Sequence, residues 1–448
     1  MVLSPYNVIA ELEQEPYLVF NSVTGTLLKV SRNTYEFLKG QDRSRPRLIE
    51  YAQLVKHRFI VESRQSEFDY VAEKLAGYRC ARHAVIYTLT TTYACNLRCP
   101  YCYEQAIGER SGHMDRRTAR RAIEVIRDDL ARTKAAKLAL TLYGGEPLLN
   151  LDIGLFALDS LKEYCDGNGI QFSGSIISNG TLFSAQVLDR VGPYLHFAQL
   201  TLEGGRRYHD SVRRHADGRG TFADIVGAAH RLVERGIRVL FRIQVSPESV
   251  DSLDDCLGEL AESGLLARPE VRFYFFPILD VHSVCSARSF KCCEEYYDRD
   301  MFRRVWAVAR RRCVDLLGIP GPVWVSPYCS FVNENAWIID PRGYRYKCVS
   351  VIGHKNEATG TIFPESDPDS LAVYKERAEA FVARSGAHIP ECRECRYLPL
   401  CDGGCAHMAA KFSDASDKPS CHMHRQVVCD KIRWLHDSER SATSVRNV

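Results

Sequence analysis

The sequence predicts an α/β protein: a partial (β/α)6, TIM-like barrel, with a small α+β domain ahead of it and a cysteine-rich extension behind it. Three observations carry this. Short apolar, β-branched runs alternate with amphipathic helical runs from residue 84 to about 280. Cysteines gather in two places at ligand-like spacing, Cys95, Cys99 and Cys102 after the first run and Cys329 to Cys421 in the C-terminal third. The residues best suited to chemistry follow directly on the apolar runs, where a parallel sheet presents its strand C-terminal ends.

The strands are expected near 85–92, 137–143, 172–178, 197–203, 238–245 and 271–277. Helices such as RRTARRAIEVIRDDLART and TFADIVGAAHRLVERG lie between them, the second ending at Gly236, a natural C-cap. Six βα units in series imply parallel strands with right-handed crossovers. Ahead of the barrel, PYLVFNSVTGTLLKV reads as two strands joined by a Ser-Val-Thr-Gly turn. Ser31 then caps the short helix RNTYEFLK, and RPRLIEYAQLVKHRF and SEFDYVAEKLAGY are also helical. The expected boundaries are 1–80 for this first domain, 84–280 for the barrel, 281–325 for a polar bridging segment, 326–430 for the cysteine-rich domain and 431–448 for a tail.

At 448 residues and forty-five per cent hydrophobic content the chain can bury several cores. Lys and Arg exceed Asp and Glu by only three, which argues against nucleic acid or an anionic membrane as the main partner. The N-terminus MVLSPYNVIAELEQEP lacks a basic region and a long apolar stretch, and no apolar run approaches a membrane span. Eighteen cysteines, many at CxxC or CxxxC spacing without a signal peptide, suggest metal in a reducing compartment, so a cytoplasmic location is expected.

Cys95, Cys99 and Cys102, in TYACNLRCPYCYE, are three thiolates for the irons of a four-iron cluster, so one iron stays open to bind a small molecule. The alternative is a zinc knuckle, for which His113 in the polar stretch GERSGHMD is the only nearby fourth ligand. The run KLALTLYGGEPLL ends in Gly144, Gly145, Glu146 and Pro147, and QFSGSIISNGTL ends in Ser178, Asn179 and Gly180. In order and spacing, Cys95, Cys99, Tyr101 and Cys102, then GGEP, then SNG resemble the radical S-adenosylmethionine (SAM) enzymes. The resemblance implies that the amino and carboxylate groups of SAM chelate the open iron, and that SAM is cleaved to a 5′-deoxyadenosyl radical. It further implies that Gly144 and Gly145 let backbone carbonyls approach the SAM ammonium, that Glu146 adds an opposite charge, and that Tyr101 lies near the adenine. Ser178, Asn179, Thr201 and Glu203 complete the expected SAM contacts, with Arg213 available for the methionyl carboxylate. Where many relatives read SLDG this chain reads TLEGG, which makes the role of Glu203 less clear than that of Glu146.

The C-terminal cysteines, Cys329, Cys348, Cys392, Cys395, Cys401, Cys405 and Cys421, resemble the SPASM extension of that family, which holds two auxiliary iron-sulfur clusters. A zinc ribbon is the alternative, since CxxC pairs at hairpins are its signature, and WIIDPRGYRYKC looks like a hairpin turning at Pro341, Arg342 and Gly343. Family precedent assigns Cys392, Cys395, Cys401 and Cys421 to one cluster and Cys329, Cys348 and Cys405 to the other. Relatives with a fully ligated first cluster carry one more Cys just before the position of Cys329. Here that stretch reads GPVWVSPY, and the nearest upstream thiol is Cys313, in the amphipathic VWAVARRRCVDLL. An open iron in that cluster is therefore expected. Cys285, Cys292 and Cys293 read as free or buried thiols, and Cys80, Cys165, Cys256 and Cys429 as small core residues. The HMH run at 422–424, beside Cys421, could supply outer contacts to a cluster.

The cofactors expected are SAM and three 4Fe-4S clusters. The favoured activity is a peptide maturase that abstracts a hydrogen from a residue of a ribosomally made precursor peptide and forms a thioether or carbon–carbon cross-link. A flavodoxin or ferredoxin is the expected electron donor. The first eighty residues resemble the winged-helix modules that grip leader peptides, with a lid on the barrel as the alternative. A formylglycine-generating oxidase is the second reading, weakened because Val349 stands where that subfamily carries the Asp base. A non-catalytic electron-transfer protein is the third, and it leaves GGEP and SNG unexplained. No residue is singled out as catalytic acid or base.

Overall fold

The computed structural model describes residues 1–41, 46–80, 83–107, 112–293, 298–314, 329, 332–412, 418–421 and 424–445. The chain divides into two compact units, one of Ala81–Leu317 with Glu334–Glu379, the other of Met1–Cys80 and Ala380–Val448 with Gly318–Asn333.

In the first unit the six βα repeats become six parallel strands laid side by side in chain order: Ala84–Thr92, Lys137–Gly144, Gln171–Ser178, Leu195–Glu203, Arg238–Val245 and Val271–Pro277. Strand alternation gives each a face toward the helices and a face toward the barrel interior. In the fifth strand Val239, Phe241, Ile243 and Val245 are buried, while Leu240, Arg242 and Gln244 point the other way and stay partly open. The covering helices read as expected. Helix Arg116–Thr133 starts where the Asp115 side chain accepts from the Thr118 amide at 2.7 Å, a cap worth about 1 kcal/mol. It buries Ala119, Ala122, Ile123, Ile126 and Leu130 at helical spacing. Helix Phe222–Glu234 stops just before Gly236, whose φ of +74° reverses the chain.

The hairpin foreseen at Pro341–Gly343 forms, with strands Ala336–Ile339 and Tyr344–Tyr346 and Gly343 at φ +85°. Its placement was not legible in the sequence. Ala336–Ile339 pairs in parallel with the first barrel strand, and Tyr344–Tyr346 pairs on to Gly360–Thr361, which extends the barrel sheet to nine strands. Asp340 secures the junction. Its Oδ2 accepts from the hydroxyls of Tyr93 at 2.6 Å and Tyr346 at 3.1 Å, and its Oδ1 accepts from the amides of Arg342 and Tyr344 at 3.0 and 2.8 Å. Burial pushes its carboxyl above the ordinary value, and these donors oppose the rise.

In the second unit, strands Asn7–Ile9, Tyr17–Asn21 and Thr26–Val30 form an antiparallel sheet beside helices Arg32–Leu38, Leu48–Lys56 and Arg64–Arg79. Ser31 caps the first helix, its hydroxyl accepting from the Thr34 amide at 3.3 Å. The apolar core of these elements is shared with the C-terminal segment: Val8, Val19, Phe20, Leu54 and Phe59 pack with Tyr397, Leu400, Val428 and Ile432. Residues from 431 onward continue helix His424–Val445, which supplies Ile432 to that core. Among the described residues no helix is long and apolar enough to cross a membrane.

Candidate active site

Cys95, Cys99 and Cys102 lie on the loop that leaves the first barrel strand. The loop folds back on itself, with the Cys102 amide on the Cys99 carbonyl at 3.3 Å and the Leu97 amide on the Cys95 sulfur at 3.4 Å. Burial pushes the Cys95 thiol up to about 12 and raises Cys99 and Cys102 as well, with Cys99 and the carboxylates of Glu146 and Glu104 adding to the rise at Cys95. Closely set thiols whose ionisation is held back in this way become thiolates only with a cation among them, so the donor set fits an iron-sulfur cluster.

Two glycines hold this loop in place. A Cβ on Gly144, which has φ +145°, would stand 2.2 Å from the Thr92 carbonyl oxygen. One on Gly145 would stand 2.4 Å from that of Ala94 and 2.6 Å from that of Tyr93. The space they leave is filled by backbone, with the Gly145 amide bonded to the Thr92 carbonyl at 3.0 Å and the Glu146 amide to that of Ala94 at 2.8 Å. Glu146 itself is fully buried and is not on the cavity wall. Its carboxylate accepts from the Ser178 hydroxyl at 2.9 Å and from the amides of Asn179 and Leu148 at 2.8 and 3.1 Å. Burial pushes it up to about 7, with those donors holding it down. In this structure Glu146 therefore positions the SNG turn. Asn179 in turn reaches the loop, its Nδ2 donating to Asn96 Oδ1 at 2.8 Å and lying 3.8 Å from the Cys95 sulfur.

These residues open onto one cavity of about 410 Å³ at the strand C-terminal ends. Of the residues expected from the sequence, Cys95, Cys99, Tyr101, Cys102, Gly144, Gly145, Ser178, Asn179, Thr201 and Arg213 line it, and Glu146 and Glu203 do not. Arg213 is only 6% exposed, so it is not an ordinary surface arginine. Its Nη1 donates to the Tyr101 hydroxyl at 2.9 Å, and its Nε has no partner. Burial alone would weaken its charge, but Tyr101, Cys99 and Glu203 more than offset this. Glu203 sits fully buried beside them; burial pushes it up to about 7, with the Tyr101 hydroxyl and the Arg213 charge holding it down.

Sequence reasoning missed the rest of the wall. Tyr143, Gln199, Arg242, Gln244, Tyr274 and Phe276 project from the second, fourth, fifth and sixth strands. The signal was present: polar residues at every second position of otherwise apolar strands mark an inner face that is not filled with core. Val349 and Ser350, the two residues after Cys348, also line the cavity.

Cys285 and Cys292, expected as separate thiols, are joined as a disulfide. The pair packs with Leu97, Cys99 and Tyr101, and Phe290 inside the loop lies 5.2 Å from the Tyr101 ring. Cys293 stays apart, buried, its thiol donating to the Val245 carbonyl at 3.6 Å. Cys165 and Cys256 are buried as expected, but Cys80 is exposed. Cys313 is also exposed and lies beyond helix Arg299–Arg311, because the chain reverses there at φ +54°.

In the other unit Cys395 and Cys421 lie close enough to Cys392 and Cys401 to oppose their ionisation. Burial pushes Cys392 up to about 11 and Cys401 to about 12. The buried Arg384 guanidinium lies beside Cys392, Cys405 and Cys401, and the buried Arg79, ion-paired with Asp402, lies near Cys329. Cations so placed suit a sulfur-rich anionic group. Cys348 belongs to the barrel unit, so the expected set of Cys329, Cys348 and Cys405 is drawn from both units. The stretch 321–328 upstream of Cys329, and His422 with Met423, lie outside the described residues. Among the described residues no three His, Cys, Asp or Glu side chains converge as ligands of a metal ion.

Residues 89–260 match the model of the Radical SAM superfamily. The chain is 23% identical over 379 residues to the Fe-coproporphyrin III synthase of Methanosarcina barkeri, covering 75% of this chain and 87% of that one. It is 19% identical over 293 residues to the radical SAM cyclopropyl synthase TigE of Paramaledivibacter caminithermalis, covering 59% and 61%. Among solved structures it resembles anSMEcpe with bound AdoMet and Kp18Cys peptide, with a TM-score of 0.57 at 15% identity over 82% of this chain and all (100%) of that one. Streptococcus suis SuiB bound to precursor peptide SuiA has a TM-score of 0.52 at 14% identity over 96% and 99%. At such identities the likeness is one of fold. Residues 89–260, the segment that matches the Radical SAM superfamily, hold the cysteine triplet and most of the strand-end cavity wall.

Proposed function

We propose that the protein is a radical SAM peptide maturase of the SPASM type, which cross-links residues of a ribosomally made precursor peptide through a thioether or carbon–carbon bond. One observation carries the reading: a single cavity joins the sulfurs of Cys95, Cys99 and Cys102 to a polar barrel interior and to the residues after Cys348. Its size lies within the range of roughly 300–1,000 Å³ usual for sites that enclose a ligand. When bound there, the cluster and SAM supply a 5′-deoxyadenosyl radical that removes a hydrogen from the substrate.

The chain's own residues have distinct tasks. Cys95, Cys99 and Cys102 hold the SAM cluster. Tyr101, Gly144, Gly145, Ser178, Asn179, Thr201 and Arg213 form the SAM wall, with Glu146 and Glu203 acting from behind it. Cys392, Cys395, Cys401 and Cys421 hold one auxiliary cluster, and Cys329, Cys348 and Cys405 the other. Peptide as substrate class rests on analogy of fold with two structures solved with bound peptides. The formylglycine reading is disfavoured because Val349, on the cavity wall, has no proton to accept or give.

The test is mass spectrometry of a short Cys-containing peptide encoded beside this gene and co-expressed with the enzyme under anaerobic, iron-replete conditions. The expected result is loss of two hydrogens per modified residue, absent with Cys99→Ala. An unchanged peptide, with 5′-deoxyadenosine still produced, would move the substrate class away from peptides.

A further inference from the structure

Arg242 is the unmatched charge in the cavity. It stands on the fifth barrel strand between Thr201 of the fourth and Tyr274 of the sixth, in register with both. Its guanidinium lies 4.2 Å from the centre of the Phe276 ring, which fixes the plane of the fork. The Nε–H is shut off from solvent and has no hydrogen-bond partner. Among the described residues no carboxylate lies within ion-pairing distance of it. Arg213, the other arginine on the wall, contrasts with it, bonded to Tyr101 and neighbouring Glu203. The cavity's own carboxylate, Glu104, is on the cysteine loop and influences Tyr143, as Arg242 does, without pairing with Arg242.

An arginine keeps its charge when buried, and a buried donor left unmatched costs about 1–3 kcal/mol. Such a group is retained where a ligand completes it. The surroundings define the ligand. Gln199 and Gln244 offer neutral amides, and the Tyr274 hydroxyl already donates to Gln199 Oε1 at 3.1 Å. One guanidinium fork among neutral groups matches a planar monoanion through two parallel hydrogen bonds, whereas a phosphate dianion would call for further cations.

We propose that Arg242 anchors a carboxylate of the substrate, so that the peptide stretch held for hydrogen abstraction carries an Asp or Glu side chain. This rests on the peptide reading above and narrows it. Arg242 is then a specificity-determining residue: a site built to hydrogen-bond a group strongly rejects the analogue that lacks it.

The experiment measures binding, without turnover. Anaerobically reconstituted full-length enzyme saturated with SAM is titrated calorimetrically with N-acetyl-aspartate amide and N-acetyl-glutamate amide, and with the asparagine and glutamine counterparts. The acids are expected to bind at least about tenfold more tightly than the amides, equivalent to about 1.4 kcal/mol. Arg242→Gln, checked for folding by its thermal transition, is expected to abolish that preference. Equal affinity for acid and amide in the unaltered enzyme would overturn the proposal, as would a preference that survives Arg242→Gln. Acid probes that bind only when SAM is absent would assign the guanidinium to SAM's own carboxylate and overturn it too. Because the probes are not turned over, a carboxylate preference without any modified peptide would sink the peptide reading alone. Modified peptides without the preference would sink only this one.

Discussion

The Tyr93 hydroxyl donates to the Asp340 carboxylate at 2.6 Å, tying the residue two before Cys95 to the turn of the added hairpin. Tyr93→Phe leaves that carboxylate with three donors and is expected to cost about 1–1.5 kcal/mol, read from denaturant unfolding. Asp340→Ala orphans the Tyr93 and Tyr346 hydroxyls and two amides at once, and should cost more than 3 kcal/mol by the same measure.

Gly145→Ala sets a methyl group against two backbone carbonyls, which cannot give way without moving the cysteine loop. We expect iron bound per chain to fall by roughly one cluster's worth and SAM cleavage to drop at least tenfold, a barrier change of about 1.4 kcal/mol or more. Gly154→Ala is the matched control. Its new Cβ meets only the end of the Leu142 side chain, at 2.9 Å, and iron content should be unchanged.

Glu146→Gln replaces one acceptor with an NH2 that must face either the Asn179 or the Leu148 amide, donor against donor. The SNG turn should shift, and SAM affinity, measured by calorimetry, should weaken about tenfold, or 1.4 kcal/mol, while Glu146→Asp, which keeps both acceptors on a shorter arm, loses less. Equal losses in the two variants would mean that chain length, and not the donor clash, governs the turn.

Cys99→Ala and Cys392→Ala should separate the clusters. The first is expected to abolish 5′-deoxyadenosine formation. The second should retain part of it while removing the modified product, since the thiols beside Cys392 belong to the other unit. Iron analysis and electron paramagnetic resonance on each variant check the assignment.

Lys431 is buried, and burial alone pulls its ammonium down to about 8 from an ordinary value of 10.5. The folded chain therefore binds fewer protons than the unfolded one between pH 8 and 10.5, and stability should rise with pH across that window. Lys431→Met should remove that rise, seen as an unfolding midpoint that no longer climbs between pH 8 and 10.5.

The parallel barrel was legible because its strands and helices differ in period, and each of the six expected runs became a strand. The cysteine loop was legible because its spacing is local. What escaped were relationships between distant parts of the chain. Nothing near Trp337 says that its strand will pair with Ala84–Thr92, because an edge strand advertises no partner. The sequence places Glu146 beside the SAM ammonium by resemblance, but does not show that its carboxylate accepts from backbone amides, a role that depends on where Asn179 arrives in space. Cys285 and Cys292 gave no pairing signal, since seven residues of separation suit a loop and a disulfide alike.

The alternation along the barrel strands also bears on how such a protein can diversify. Gln199 and Thr201, Arg242 and Gln244, Tyr274 and Phe276 share their strands with hydrophobic neighbours facing the helices. Inserting or deleting one residue within a strand would exchange the two faces, burying the arginine under a helix and emptying the reaction chamber of its polar groups. Lineages can therefore explore new substrates by replacing side chains inside strands, whereas changes of length are confined to the loops between them.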